Sequence, residues 1–313
     1  SMKNDLVASI CIFGSSARRN VDELSDKDVL IVSNDIDFLD AEKKKWAGRG
    51  WSVASYTVNR FENLINSKSL FIQHLKVEGL IVSDFGGWLE RKLAAFVPKS
   101  SYMDECYRSV DLIRPIERLL NSHVSSFFAA DTLYVGIRNI GVNLLASRNA
   151  YVYDFNEIIL ELQDHYGFSN DVASILKSLR SLKVAYRNRN FSEHTVPDLD
   201  ELIAVAKAAV PWLVLDTIKP NAPIRPLNCG YARIREVEAW CLNNFSIVDL
   251  DEESAPKIVN SLWRQIKNPS GYSWAINRFD ERTAKKLSKV QPSLRTSKTL
   301  TDEKKVPARS FLP

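Results

Sequence analysis

The sequence predicts an α+β fold: a small mixed sheet flanked by helices, then an all-helical bundle, then a C-terminal helical extension. Three observations carry that expectation. Over residues 3–98, short apolar runs alternate with charged, helix-period segments. Over 99–218, apolar residues recur at three- and four-residue spacings through long stretches. From Lys219 onward Pro220, Pro223 and Pro226 interrupt the pattern and read as a linker to a last, aromatic-rich region.

Composition sets the outer bounds. At 313 residues, 45% apolar and 26% charged, the chain has enough length for two or three packed domains and the balance of an ordinary globular protein. A net charge of +4 is too slight to argue for a nucleic-acid or membrane partner by itself. No apolar run approaches the roughly 18 residues of a membrane span, and 7–13 is too short for a signal peptide. Ser1-Met2 reads as an expression remnant ahead of the natural start. Cys11, Cys106, Cys229 and Cys241 show no paired metal spacing, which predicts reduced thiols and a cytoplasmic protein. The dispersed His74, His123, His165 and His194 argue against a zinc site.

Taken in order, 7–13 reads as a helix end or short strand leading into Gly14-Ser15. Residues 28–33 form a continuous apolar strand, and 38–48, with Lys43-Lys44-Lys45, a surface helix stopped by Gly48 and Gly50. A second strand follows at 51–57, helices at about 60–66 and 69–77, and a third strand at 79–84. Pro98-Lys99-Ser100-Ser101 marks a boundary. Helices are expected at about 103–122, 123–148, 154–165, 171–185 and 198–215, with Asp171 and Asp198 as N-caps and Gly167 after a helix end. In the second of these, Phe127, Phe128, Leu133, Tyr134, Ile137, Ile140, Gly141 and Leu144 make one stripe. The resulting division is 1–98, 99–218, 219–288 and a basic, flexible tail at 289–313.

The chemistry concentrates near the start. If 28–33 is a strand with Asp26 at its leading edge, Asp26 and Asp28 point to one face. Two converging carboxylates repel unless a cation lies between them, and Mg²⁺ typically takes one or two carboxylates plus substrate phosphates. Gly14 permits a tight turn, and the amides and hydroxyls of Ser15 and Ser16 suit phosphate oxygens. Arg18 would offset phosphate charge or stand solvated on a helix.

Phe13-Gly14-Ser15-Ser16-Ala17-Arg18, then Asp26-Lys27-Asp28 and a hydrophobic run, resembles the signature of the DNA polymerase beta-like nucleotidyltransferases. Within that superfamily it is similar to the minimal nucleotidyltransferase branch, which includes kanamycin nucleotidyltransferase-like enzymes. A second point of resemblance is the string from Leu70 to Asp84, with its helix, Glu78-Gly79, strand and aspartate. The resemblance implies a nucleoside triphosphate substrate, Mg²⁺ held by catalytic Asp26 and Asp28, and triphosphate binding by Gly14, Ser15, Ser16 and Arg18. It also implies a third carboxylate on the strand after the two aspartates, yet 51–57 holds no acid. Glu78, Asp84, a bundle carboxylate or a partner subunit would have to supply it. His74 offers itself as a base, the plainer alternative being a helix histidine packed beside the sheet.

In the bundle, Arg189-Asn190 with His194 resembles the R-x(4–6)-H motif of HEPN helical domains, and Arg187 fits the longer spacing. The resemblance implies that such a pair acts on an RNA 2′-hydroxyl and phosphate, commonly across a homodimer. The alternative is a helix end that contacts nucleotide or only packs. Position 196 is Val, so the tyrosine that follows the histidine in some HEPN toxins is missing. Between Lys285 and Pro313 eight Lys or Arg face two acids, a composition that would recruit RNA or simply stay solvated. The expectation is a Mg²⁺-dependent nucleotidyltransferase whose acceptor is a protein, an RNA end or a small molecule, in a setting the resemblance links to bacterial defence. A HEPN-type ribonuclease and a non-catalytic nucleotide-binding protein are the alternatives.

Overall fold

The computed structural model describes residues 7–18, 27–220, 222–225, 227 and 230–244. Four strands form one sheet: β1 (Ala8–Phe13), β2 (Asp28–Ser33), β3 (Ser52–Thr57) and β4 (Leu80–Asp84), in the order β3-β2-β1-β4. β1 is antiparallel to both β2 and β4, whereas β2 and β3 run parallel. The sheet is therefore mixed, as expected.

Alternation along the strands divides the side chains between two faces. Cys11, Leu30, Val32, Ala54, Tyr56 and Phe13 lie on the face covered by α3 (Val58–Asn66), α4 (Leu70–Glu78) and α5 (Trp88–Ala95), around the fully buried Phe61. Ile10, Val29 and Ile31 lie on the other, with Leu39 and Trp46 of α2 (Ile36–Ala47). Asp35 starts α2 by accepting from the amides of Asp37 and Phe38. Gly79 joins α4 to β4 because a Cβ there would stand 2.3 Å from the Leu75 carbonyl oxygen and 2.9 Å from Cys11 Sγ. α5 was not anticipated by the apolar spacing. It follows Gly86 and Gly87, both with positive φ, and its first amides are bonded by Asp84.

The remainder is helical: α6 (Met103–Arg108), α7 (His123–Ala146), α8 (Phe155–Tyr166), α9 (Asn170–Asn188), α10 (Leu199–Ala209) and α11 (Gly230–Asn244). The helix expected over 103–122 is a correction: after Arg108 the chain makes two 3-10 turns, Ser109–Leu112 and Arg114–Arg118, with Pro115 in the second. The N-cap of α9 is Ser169 rather than Asp171, which sits in the first turn. Asp198 does cap α10. The stripe read on α7 understates its burial, since Ala129, Ala130, Asp131 and Thr132 are buried as well.

Contacts within the chain define two compact units. One comprises the residues to Tyr107 together with Arg138–His165, and the other Arg108–Ile137 with the residues from Tyr166 onward, so α7 contributes to both. In the second unit the proline-rich stretch is not a free linker. Buried Arg118 donates from Nη1 to the carbonyls of Pro220 (3.2 Å) and Ala222 (3.0 Å), from Nη2 to Pro223 (3.1 Å), and from Nε to Glu236 of α11 (2.9 Å). Of the aromatic-rich region only α11 lies among the described residues. The rest of that region and the basic tail lie outside them.

Candidate functional site

The site lies where β1 ends and β2 begins. Phe13 and Asp28 are directly paired across the two strands, and Gly14 follows with φ +70°. A Cβ on Gly14 would stand 3.1 Å from Asp28 Oδ2, so the turn is packed closely against the carboxylate, and its positive φ favours glycine. One helical turn, α1 (Ser15–Arg18), starts immediately after, closed by Ala17 N–H donating to the Gly14 carbonyl at 3.1 Å. Ser16 Oγ is buried without a hydrogen-bond partner among the described residues. A buried hydroxyl in that state costs free energy unless something binds it.

Asp28 shares its face with Leu30 and Val32 by alternation, and its register partner on β3 is Ser52. Ser52, Ala54 and Tyr56 are the β3 residues on that face, so the strand beside Asp28 supplies no acid. Asp26 lies outside the described residues, as does the side chain of Arg18. Among the described residues no three His, Cys, Asp or Glu side chains gather as a metal group.

The two nearby substitutes for a third carboxylate are engaged elsewhere. Asp84 pairs with Ser9, four residues along β1 from Phe13, which is on the order of 13 Å from the Asp28 end at strand rise. Its Oδ1 accepts from Ser9 Oγ (2.7 Å) and Leu89 N (3.0 Å), and its Oδ2 from Glu90 N (2.9 Å). Asp84 thus caps α5 and does not reach the site. Glu78 stands at the correct end of the sheet, because Leu80 pairs with Ile12. Its Oε2 lies 2.9 Å from His74 Nε2. His74 is buried, as the plainer reading of a packed helix histidine had it, and carries an ion-pair partner besides.

Tyr153 was missed altogether. It stacks on His74 with ring centroids 4.1 Å apart, and its phenol pKa is pushed up by burial and then by the charge of Glu78. No local pattern around Tyr151-Val152-Tyr153 signals a partner 79 positions away.

The second motif resolves differently from its spacing. Arg189 is the left-handed C-cap of α9 (φ 60°), and its guanidinium lies 5.5 Å from the centroid of the Tyr186 ring. His194 is half-buried in the segment between α9 and α10. Arg187 is tied into the unit, with its Nη2 3.0 Å from buried Asp131 and donating to Tyr231 Oη at 3.0 Å. Asp131 also pairs with buried Arg235 (2.9 Å), which pairs with Glu238 (3.0 Å), and Glu238 accepts from Tyr186 Oη (2.6 Å). This network is charge-balanced, and α11 contributes Arg235 and Glu238 to it.

Residues 1–74 match the family model described as a nucleotidyltransferase domain. The matched span takes in β1, the Gly14 turn, Asp26, Asp28, β3 and most of α4. That domain supports transfer from a nucleoside triphosphate as the general activity. No curated protein and no solved structure matches the chain. Among the described residues, no helix is long and apolar enough to cross a membrane.

Proposed function

We propose that the N-terminal unit transfers a nucleoside monophosphate from a nucleoside triphosphate to an acceptor hydroxyl and releases pyrophosphate. The observation that carries this reading is the seating of Gly14 against Asp28, with Ser16 Oγ nearby, buried and without a hydrogen-bond partner among the described residues. A carboxylate, a glycine turn and an orphaned hydroxyl are a donor set that fits a metal-bound triphosphate. The Ser15 and Ser16 amides and the Ser16 hydroxyl receive phosphate oxygens, and Asp26 and Asp28 hold Mg²⁺. When bound, the ion neutralises charge that develops on the phosphates as the leaving group departs. The acceptor oxygen attacks the α-phosphorus in line and its proton passes to solvent, while the bond from the α-phosphorus to the α,β-bridging oxygen breaks and its electron pair leaves with pyrophosphate. Protein side chains, RNA ends and small molecules such as aminoglycosides are the acceptor classes, and bacterial defence is the proposed setting by family resemblance alone.

A second reading is favoured by one observation, the acid-free β3 beside Asp28. With Asp84 committed to α5 and Glu78 to His74, the unit binds nucleotide without turning it over.

Purified protein with Mg²⁺ and each of the four α-labelled nucleoside triphosphates separates the readings. Label transfer or pyrophosphate release, lost in Asp26→Ala/Asp28→Ala, supports the transferase. Nucleotide binding with no transfer to protein, RNA or small-molecule acceptors supports the binding protein. RNA cleavage lost in His194→Ala and retained in the aspartate variant would instead support the ribonuclease built on Arg189 and His194.

A further inference from the structure

The two ends of α2 carry opposite charge. Asp35, Asp37 and Asp40 stand at its start, whereas Lys43 and Lys44 lie in its second half and Arg49 just beyond it. Because β2 and β3 run parallel, the helix between them runs back along the sheet. Its basic end is therefore level with the start of β2, where Asp28 stands. Two hydrogen bonds fix that placement: Trp51 N–H donates to the Trp46 carbonyl at 3.1 Å, and Ser52 N–H to the Lys27 carbonyl at 2.7 Å. Ser52 is the register partner of Asp28, and Lys27 is the residue before Asp28. Arg49 is at most about 11 Å from Ser52 by chain reach.

Lys27, Lys43, Lys44 and Arg49 are exposed, and none has an ion-pair partner among the described residues. Lys45, by contrast, is neutralised by Glu42 at 2.7 Å. Helix electrostatics account for Lys44 in the last turn of α2. They give no reason for Lys27 or Arg49, which lie outside the helix. The same end holds two half-buried indoles, Trp46 and Trp51, in edge-on contact at 5.1 Å and 87°.

Resting on the reading of Gly14 and Asp28 as a nucleotide-transfer site, we propose that this basic end of α2 is the docking surface for the acceptor. The acceptor it fits is a single-stranded nucleic acid. Lys27, Lys43, Lys44 and Arg49 hold backbone phosphates, and the open parts of the two indoles take unpaired bases. A terminal hydroxyl of the strand forms the new bond to the α-phosphorus and gives its proton to solvent, and pyrophosphate leaves with the electron pair of the broken bond. The same four charges repel a polycationic acceptor such as an aminoglycoside. An acidic polypeptide answers the charge but brings no bases for the indoles.

The test begins without nucleotide or metal, on the full chain. Anisotropy of a labelled single-stranded RNA of about 16 nucleotides gives affinity against salt. For three to four phosphate contacts the log–log slope should be about −2 to −3. Lys43→Gln/Lys44→Gln/Arg49→Gln should bind at least about tenfold more weakly, with a slope shallower by about 2. Lys43→Arg/Lys44→Arg/Arg49→Lys should keep both values, which separates lost charge from a damaged fold. The DNA counterpart should lose affinity by the same factor, because the contacts are with phosphate.

RNA binding with affinity and slope unchanged in the Gln variant would overturn the proposal and place the binding elsewhere in the chain. Polyglutamate that displaces the RNA at equal charge concentration would overturn it in favour of an acidic protein. A variant that loses as much affinity for Mg²⁺–nucleotide as for RNA would overturn it too, because the charges would then serve the triphosphate. With label transfer as the readout, the Gln variant should raise the KM for RNA about tenfold and keep kcat. A wild type that binds RNA through these residues and transfers nothing confirms the docking surface and contradicts the transferase reading, so the two failures are distinct.

Discussion

Gly14 and Asp28 are packed closely together: the position a Cβ would take on Gly14 is 3.1 Å from the Asp28 carboxylate, at a φ of +70°. Gly14→Ala therefore imposes a left-handed backbone on a residue with a side chain, at about 1–2 kcal/mol, and pushes the carboxylate aside. The expected outcome is a small loss of stability in urea melts and a loss of Mg²⁺–nucleotide affinity of about tenfold or more by calorimetry. Equal affinity in the variant would mean that the turn and the carboxylate do not act together.

The vacancy on β3 makes a gain-of-function prediction. Ser52 is exposed and stands opposite Asp28 in the parallel register, on the same face. Ser52→Asp places two carboxylates on adjacent strands, a destabilising pair unless a cation joins them. The variant should melt below the wild type in chelator and show a larger upward shift on adding Mg²⁺. A Mg²⁺ response no larger than that of the wild type would mean that Ser52 does not face the metal position.

How much of this was legible in the sequence depends on the range of the interaction. The strands and helices of the first unit follow from local apolar runs and from glycines that stop them, so β1 to β4 and α2 to α4 stand within about two residues of their expected places. Gly14 and Asp28 were legible because a turn and a strand edge are local features. Asp84 was offered as the third carboxylate because sequence shows a carboxylate and not its partners. In the fold Ser9 and the α5 amides consume it. The proline-rich stretch from Lys219 read as a linker for the same reason. Its carbonyls are bonded by Arg118, about a hundred positions earlier, and nothing local to either segment signals the other.

That clamp is testable by itself. Arg118 is fully buried and is the shared donor for Glu236 and three backbone carbonyls. Arg118→Met removes the guanidinium from the carbonyls of Pro220, Ala222 and Pro223 and leaves Glu236 to Arg225, which donates to it at 3.0 and 2.8 Å. Breaking a buried pair from one side costs about 3–5 kcal/mol. Urea unfolding should show a loss of that size, whereas a loss below about 1 kcal/mol would contradict the burial of the network.

Two thiols report the pH dependence. Burial, helped by the charge of Asp84, pushes Cys11 from 9.0 up to about 12, and burial pushes Cys106 up to about 11. A group whose pKa is higher folded than unfolded adds stability that is complete below about 9 and is lost as pH rises through the folded value. Stability should therefore decline between about pH 9 and 12, less steeply in Cys11→Ala. At pH 8 peptides containing Cys11 and Cys106 should stay unalkylated in native protein and become labelled in urea. Rapid native labelling of either would contradict its placement.

The most direct test of the central claim is the transfer reaction run with the wild type and with Asp28→Ala. Mg²⁺, α-labelled nucleoside triphosphates and a panel of protein, RNA and small-molecule acceptors should give a labelled acceptor and stoichiometric pyrophosphate with the wild type. Asp28→Ala should lose both by at least a hundredfold while its melting curve stays close to that of the wild type. Nucleotide binding and turnover left unchanged by Asp28→Ala would contradict the account, because the carboxylate seated against Gly14 would then have no part in the chemistry.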